Sequence, residues 1–326
     1  MRPPGRWLVW GPSSMAEWLW PGAEHVPTGV DPAAWFGQRS ALRVPVADLV
    51  LHPHQTRPYH RLPAATCVLD LIQLQHPSAP IRAAKAARLR ASVRAARALF
   101  TITSSVRDEL AFDFGADPET ITVLELPVDP DAAARVEGAR RSATSRADER
   151  YLLAVGRFDR HKNLPRLVEA FAATRFAATG GRLHLAGGTD AELARLGATS
   201  LPAAVRVLGV LDQARLEDAM AGATALVQAS LVEGYGLPVA EALAGGVPVV
   251  SSPVPALVEF GPPGVPLFDP RSVPAMTAAI DLTVDLVDAG RYWDSVDRTG
   301  WLACRPTVST LAHQVLAGLA GAYGDR

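Results

Sequence analysis

Short apolar runs alternate with longer alanine-rich stretches along this chain. Ala65–Asp70, Ala98–Thr103, Ile121–Leu124 and Ala225–Leu231 read as strands, and Arg82–Ala98 reads as a helix of strong helix formers. Ser104 or Ser105 is placed to cap a following helix that carries Arg107–Ala111. From Glu241 the sequence runs through a short helix, a glycine stop at Gly245-Gly246 and another buried strand ending at Ser251. Near the C-terminus, Leu311, Val315 and Leu319 repeat at helical spacing within Trp301–Tyr323. Apolar strands alternating with helices predict an α/β architecture with parallel sheets.

With 326 residues the chain exceeds the usual single-domain size, and 48% apolar residues suffice for two cores. Between Pro127 and Arg150 the composition shifts to Ala, Arg, Asp and Glu without aromatics, which marks a linker with room for a short helix inside it. The division expected is 1–130, a linker over 131–150, 151–300, and a C-terminal helix over 301–326. The first 65 residues, rich in tryptophan and proline, show little periodicity; Trp7–Trp10 followed by Gly11 reads as a strand and a turn. A formal net charge of −1 argues against a general nucleic-acid binder. Two cysteines far apart, Cys67 and Cys304, suit a reducing compartment. No run approaches the ~18–20 apolar residues of a membrane span. Gly11, Pro12 and Glu17 break the N-terminal apolar run against a signal peptide. The expected location is cytoplasmic.

The chemistry concentrates in Glu233-Gly-Tyr-Gly-Leu-Pro-Val-Ala-Glu241. Two carboxylates flank a Gly-Tyr-Gly turn, and Pro238 stands where a helix starts, with Gly234 and Gly236 letting backbone approach a ligand. A helix N-terminus at such a turn attracts anions through free N–H groups and its dipole. Carboxylates for hydroxyl groups beside backbone for phosphate point to a sugar nucleotide. Upstream, Gly156-Arg157 precedes Lys162-Asn163 by four residues, placing two cations where a helix start otherwise disfavours them. An anion bound nearby would resolve that conflict.

These residues resemble the signature of retaining glycosyltransferases of family 4, in which seven residues separate two glutamates. Leu183–Gly188 and Val205–Gly209 continue the resemblance, in order, over roughly residues 151–270. In the first half, Asp70–Pro77, Thr103–Leu110 and Asp117–Val123 are similar to the family's acceptor-side segments. The resemblance implies the GT-B architecture: two Rossmann-like domains facing each other across a cleft, with the C-terminal helix crossing back to a shortened first domain. Residues 1–130 would serve the acceptor and 151–300 the nucleotide sugar. It implies retaining transfer of a sugar to a hydroxyl acceptor, without a metal ion or other cofactor. Glu233, Arg157 and Lys162 would be catalytic; Glu241 would grip the ribose; Gly156, Gly234, Tyr235, Gly236 and Leu237 would line the donor site. The acceptor would be a glycan, a lipid-linked sugar or a small molecule.

The family has His-Asp where this chain has Leu69-Asp70, and leucine neither hydrogen-bonds a sugar nor titrates. Asp70, His52 and His54 are the acceptor-side candidates, with His60 and His76 also within reach. His52 and His54 form a weak metal pair because no third ligand is evident. Asp129-Pro-Asp131 reads as a turn capping the next helix. The glycine turn lacks the third glycine and acidic partner of a dinucleotide fingerprint, which argues against a dehydrogenase. A non-catalytic sugar-nucleotide binder, or an epimerase or phosphorylase on the same scaffold, is the alternative. Arg82, Lys85, Arg88, Arg90, Arg94 and Arg97 form a cationic run without an acid, either a solvated face or a peripheral contact with anionic membrane.

Overall fold

The computed structural model describes residues 7–11, 23–27, 50–52, 64–143, 150–198 and 200–324. His54 and His60 lie outside them, as does the side chain of His52. The strands are β1 (Trp7–Gly11), β2 (Ala23–Pro27), β3 (Val50–His52), β4 (Ala64–Val68), β5 (Ala96–Thr101), β6 (Ile121–Val123), β7 (Tyr151–Val155), β8 (Arg182–Ala186), β9 (Val205–Gly209), β10 (Ala225–Gln228) and β11 (Val249–Ser251). β1 and β2 pair with each other; β3-β4-β5-β6 form a first sheet and β11-β10-β7-β8-β9 a second, all pairs parallel.

Thirteen α-helices are described. The first half holds α1 (Ala79–Ala95) and α2 (Ser104–Phe114). α3 (Pro130–Ala143) connects the halves. The second sheet carries α4 (Leu164–Ala172), α5 (Arg175–Ala178), α6 (Asp190–Arg195), α7 (Gln213–Gly222), α8 (Leu237–Ala244), α9 (Pro255–Phe260) and α10 (Val273–Asp288). The chain closes with α11 (Tyr292–Ser295), α12 (Arg298–Ala303) and α13 (Val308–Gly324). Among the described residues no helix is long and apolar enough to cross a membrane.

Strand alternation divides the cores. On β7, Leu152 and Ala154 face one cluster with Leu167 and Phe171 of α4 and Ile280 of α10. Leu153 faces the other, with Met220 of α7, Val239 and Leu243 of α8, and Val136 of α3. In the first sheet, Leu99 packs toward α1 and α2 through Leu89, Val93, Leu110 and Phe114. Phe100 packs oppositely, against Leu311, Val315 and Leu319 of α13. A Cβ on Gly318 would lie 2.6 Å from the Phe100 ring, so this glycine lets α13 sit close to the first sheet.

Several local expectations need correction. The helix allowed for inside the linker is not short: α3 runs 14 residues and is fastened to α7 by a two-pronged Arg135–Glu217 pair at 2.7 and 2.8 Å. Asp129 caps it by accepting from Asp131 N and Ala132 N. The helix expected at Arg82–Ala98 starts three residues earlier, because Pro80 favours the first turn and the alanine run sets no sharper boundary. Thr103, rather than Ser104 or Ser105, caps α2 by accepting from Val106 N. Pro238 is the second residue of α8, after Leu237.

The halves meet along a seam of Ile102, Tyr235, Ala240 and Ala256, flanked by Leu69, Leu126 and Phe260. Ser104 N and Ser105 N donate to the Glu259 carboxylate across it, at 2.6 and 2.9 Å. Carboxylate at the start of α2 suits that helix's dipole. Glu125 pairs with Arg305, whose guanidinium lies 5.0 Å over Trp301.

Candidate active site at the sheet ends

The C-terminal ends of β7 to β10 bring three loops together. After β7, Gly156 takes φ +139 and donates to Ala186 O at 3.0 Å. A Cβ there would lie 2.8 Å from Lys162 Cε, so the missing side chain gives the lysine stem its path across the backbone. After β8, Gly187 takes φ +114, and a Cβ on it would lie 2.4 Å from Gly156 O. The two loops touch backbone to backbone.

Lys162 ends a tight turn, Arg160–Lys162, and Asn163 follows in the left-handed region at φ 58. Asparagine tolerates this conformation better than most residues. Its buried amide donates to Ala229 O at 3.1 Å and Pro270 O at 2.7 Å, which fixes the lysine's exit angle. Lys162 Nζ reaches Glu233 Oε1 at 2.6 Å. Gln228 Nε2 and Ser230 Oγ donate to the same oxygen, each at 2.6 Å. The Lys162 and Glu233 side chains are 13% and 9% exposed, so three donors hold this carboxylate in partial shelter. Gln228 and Ser230 went unnoticed in the sequence because they read as strand residues; their alternate positions before Glu233 are the only signal.

Arg157 is not joined to this cluster. Its side chain is 87% exposed, and its Nε stands 3.7 Å from Asp159 Oδ2. The expected pair of phosphate-facing cations is therefore one sheltered lysine and one exposed arginine beside Asp159.

The Gly-Tyr-Gly turn divides its tasks. A Cβ on Gly234 would lie 2.6 Å from Leu69 O and 2.7 Å from Asp70 Cβ, so the glycine lets the first half close onto this loop. Asp70 Oδ1 accepts from Ile72 N at 3.0 Å. Tyr235, expected to line the donor site, is buried in the seam and donates to Leu126 O at 3.2 Å. Burial pushes its phenol up to about 12. Gly236, at φ +103, precedes the first turn of α8, and Leu237 is 45% exposed. Arg298 Nε donates to Leu243 O at 2.9 Å and satisfies the far end of that helix.

Glu241 lies in the second turn of α8. Burial holds its carboxyl above the ordinary range, and the charges of Asp129 and Glu217 add to the rise. No hydrogen bond or ion pair to its side chain is found among the described residues.

Elsewhere, His76 Nδ1 accepts from Ser78 N at 3.1 Å, which commits that histidine locally. No cluster of three or more His, Cys, Asp or Glu residues suited to a metal ion occurs among the described residues. Cys67 and Cys304 are free thiols, and burial pushes Cys67 up to about 11. An open depression of about 510 Å³ adjoins the cluster at Ser230, walled by Leu231, Pro253, Leu267 and Arg271.

Residues 149–285 match the family described as Glycosyl transferases group 1. Glycogen synthase of Mycobacterium tuberculosis (strain ATCC 25618 / H37Rv) is 33% identical over 199 residues, 59% of this chain and 47% of that protein. The GDP-mannose:cellobiosyl-diphosphopolyprenol alpha-mannosyltransferase of Komagataeibacter xylinus is 31% identical over 194 residues, 54% of this chain and 48% of that protein. The aligned region thus spans about half the length of these curated relatives. Among solved structures, sucrose-phosphate synthase from Thermosynechococcus elongatus superposes with a TM-score of 0.70 at 21% identity, covering 86% of this chain and 74% of that one. HepE of Anabaena, in complex with UDP and glucose, gives 0.64 at 17% identity, covering 84% and 78%. The chain has the GT-B fold shared with these structures, and the match to the Glycosyl transferases group 1 family covers its residues 149–285.

Proposed function

We propose that this protein transfers a sugar, with retention, from a nucleoside-diphosphate sugar to a hydroxyl acceptor, without a metal ion. The observation that carries the reading is the Lys162–Glu233 pair, laid over Gly156 at the sheet ends and followed directly by the start of α8. The sheltered ammonium and the helix N-terminus offer one positive site for a diphosphate. Lys162 exchanges its contact with Glu233 for the phosphate oxygens, and Glu233 then accepts from a sugar hydroxyl. Arg157 folds in from solvent as a planar fork on the same phosphates. Charge on the departing diphosphate grows as the glycosidic bond breaks, so these cations favour the transition state. Glu241 accepts from the ribose hydroxyls. Contact between the halves at Asp70 and Gly234 brings the acceptor, a glycan, lipid-linked sugar or small molecule, beside the reacting carbon. The names of the mannosyltransferase relative and of the HepE complex support a nucleotide-sugar donor.

The test is thermal unfolding with UDP and GDP. A ligand at 100 times its dissociation constant stabilises by about 2.7 kcal/mol. At least one nucleotide should raise Tm for the wild type, and Arg157→Ala with Lys162→Ala should remove most of the rise. An undiminished rise in the double variant overturns the assignment. Transfer should persist in EDTA and yield a product with the donor's anomeric configuration, read by NMR.

A further inference from the structure

The geometry points to His161 as the side chain that binds a hydroxyl of the sugar being transferred. This rests on the donor site proposed above and adds a sugar contact to it. His161 is the middle residue of the Arg160–Lys162 turn, immediately before the lysine that holds Glu233. Both flanks of the turn are fixed. Asn163 is tied to Ala229 O and Pro270 O, and His161 O accepts from Leu231 N at 2.7 Å, two residues before Glu233. The His161 backbone is therefore tied to the loop that carries Glu233, and its side chain is half-buried.

The charged groups acting on this ring are Glu233, Lys162, Asp159 and Asp70. Asp70 comes from the first half, its Cβ 2.7 Å from where a Cβ on Gly234 would stand, and this junction of the two halves lies within electrostatic reach of His161. The three other histidines whose side chains are described are engaged elsewhere. His76 accepts from Ser78 N, His184 is buried 4.2 Å from the Tyr151 ring, and His313 bonds Ser309 O on α13. Leu69, beside Asp70, brings no side-chain polar atom to the junction.

The chemistry follows from these neighbours. Lys162 and the start of α8 take the diphosphate, and the sugar is bonded directly to it. A group next to Lys162, on the side of Glu233 and Asp70, meets the pyranose rather than the nucleoside. Burial is the main cause that holds the imidazole below its ordinary pKa, with Lys162 acting in the same direction. The neutral ring that results donates through one nitrogen and accepts through the other, as a sugar hydroxyl requires.

Titration calorimetry on the full chain compares UDP with UDP-glucose and GDP with GDP-mannose. For whichever pair binds, His161→Ala should leave the nucleoside-diphosphate affinity unchanged and weaken the nucleotide sugar by roughly tenfold, the upper range for one neutral hydrogen bond. His161→Gln should recover part of that loss. Nucleotide-sugar affinity of the wild type should fall, relative to that of His161→Gln at the same pH, as pH drops through the lowered imidazole pKa. An unchanged ratio of the two dissociation constants in His161→Ala overturns the inference and leaves the donor site standing. Failure of the wild type to bind any of the four ligands overturns the donor site and the inference together. Retained diphosphate binding by the variants shows that they are folded.

Discussion

The second sheet is covered on both faces largely by helices from its own stretch of chain, whereas the first borrows one of its covers. α4 and α10 pack one side of β7 and α7 and α8 the other. In the first half, α1 and α2 cover a single face, and the opposite face waits for α13 from the far end of the chain. Glycines differ in the same way. Gly156 and Gly187 hold positive φ where their loops touch, and added side-chain atoms would strike neighbours. Gly115, which ends α2 at φ +69, has nothing within 4 Å of an added Cβ. One half fixes backbone around a site; the other supplies a wall to close on it.

The largest expected effect separates those two kinds of glycine. Gly187→Ala should lose nucleotide binding and roughly 3 kcal/mol or more of stability, because strained φ and a collision with Gly156 O act together. Gly115→Ala has only the left-handed strain to bear, about 1–2 kcal/mol, and should bind nucleotide as the wild type does. Chemical unfolding and calorimetry check both. Equal losses in the two variants would erase the distinction between a site built on backbone contact and an ordinary helix stop.

That distinction also explains what the sequence disclosed. The segment from Glu233 to Glu241, and Lys162 with Gly156, stand out because close backbone contact restricts which residues fit. The strand within Ala225–Leu231 was legible because it is apolar on both faces, although β10 ends at Gln228. Legibility fell off where a role depends on a distant partner. His161 gains meaning only from Asp70, Gln228 and Ser230 only from Glu233, and Tyr235 turns to the seam because Leu126 O is there. Alanine repeats carry no boundary information, so α1 was displaced by three residues and the full length of α3 within the expected linker did not show.

A middle-sized effect concerns α3, which belongs to the second half by packing although it precedes β7. Arg135 and then Gln213 hold the Glu217 carboxyl at about 2, below its ordinary 4.5. A depressed carboxylate stabilises the fold above its unfolded pKa, and that contribution is lost as pH falls from about 4.5 toward 2. Arg135 is 55% exposed, so solvent screening limits the pair to a small contribution at neutral pH. Glu217→Gln should be less stable at pH 7, and the gap to wild type should close on acidification across this window. A gap constant from pH 7 to pH 2.5 would remove the pair as a fastener of α3.

The smallest effect tests two arginines on the outer surface of the first half. Arg88 and Arg94 are exposed on α1, and no carboxylate pairs with either among the described residues. Replacing both with Gln should change stability by less than about 0.5 kcal/mol and leave nucleotide binding intact, as expected for surface positions away from buried networks. Lys162→Ala, by contrast, removes a donor to a sheltered carboxylate and the phosphate contact together. Flotation with phosphatidylserine vesicles adds the readout that stability cannot supply. Exposed cations are screened over about 10 Å at 0.1 M salt, so a membrane contact through α1 would weaken steeply as salt rises. Vesicle binding at low salt that the double substitution abolishes would give these arginines a partner, and would make the first half the side that meets a surface. Equal binding by both proteins, or none, leaves α1 a solvated cover for β5 and keeps the functional cations in the second half.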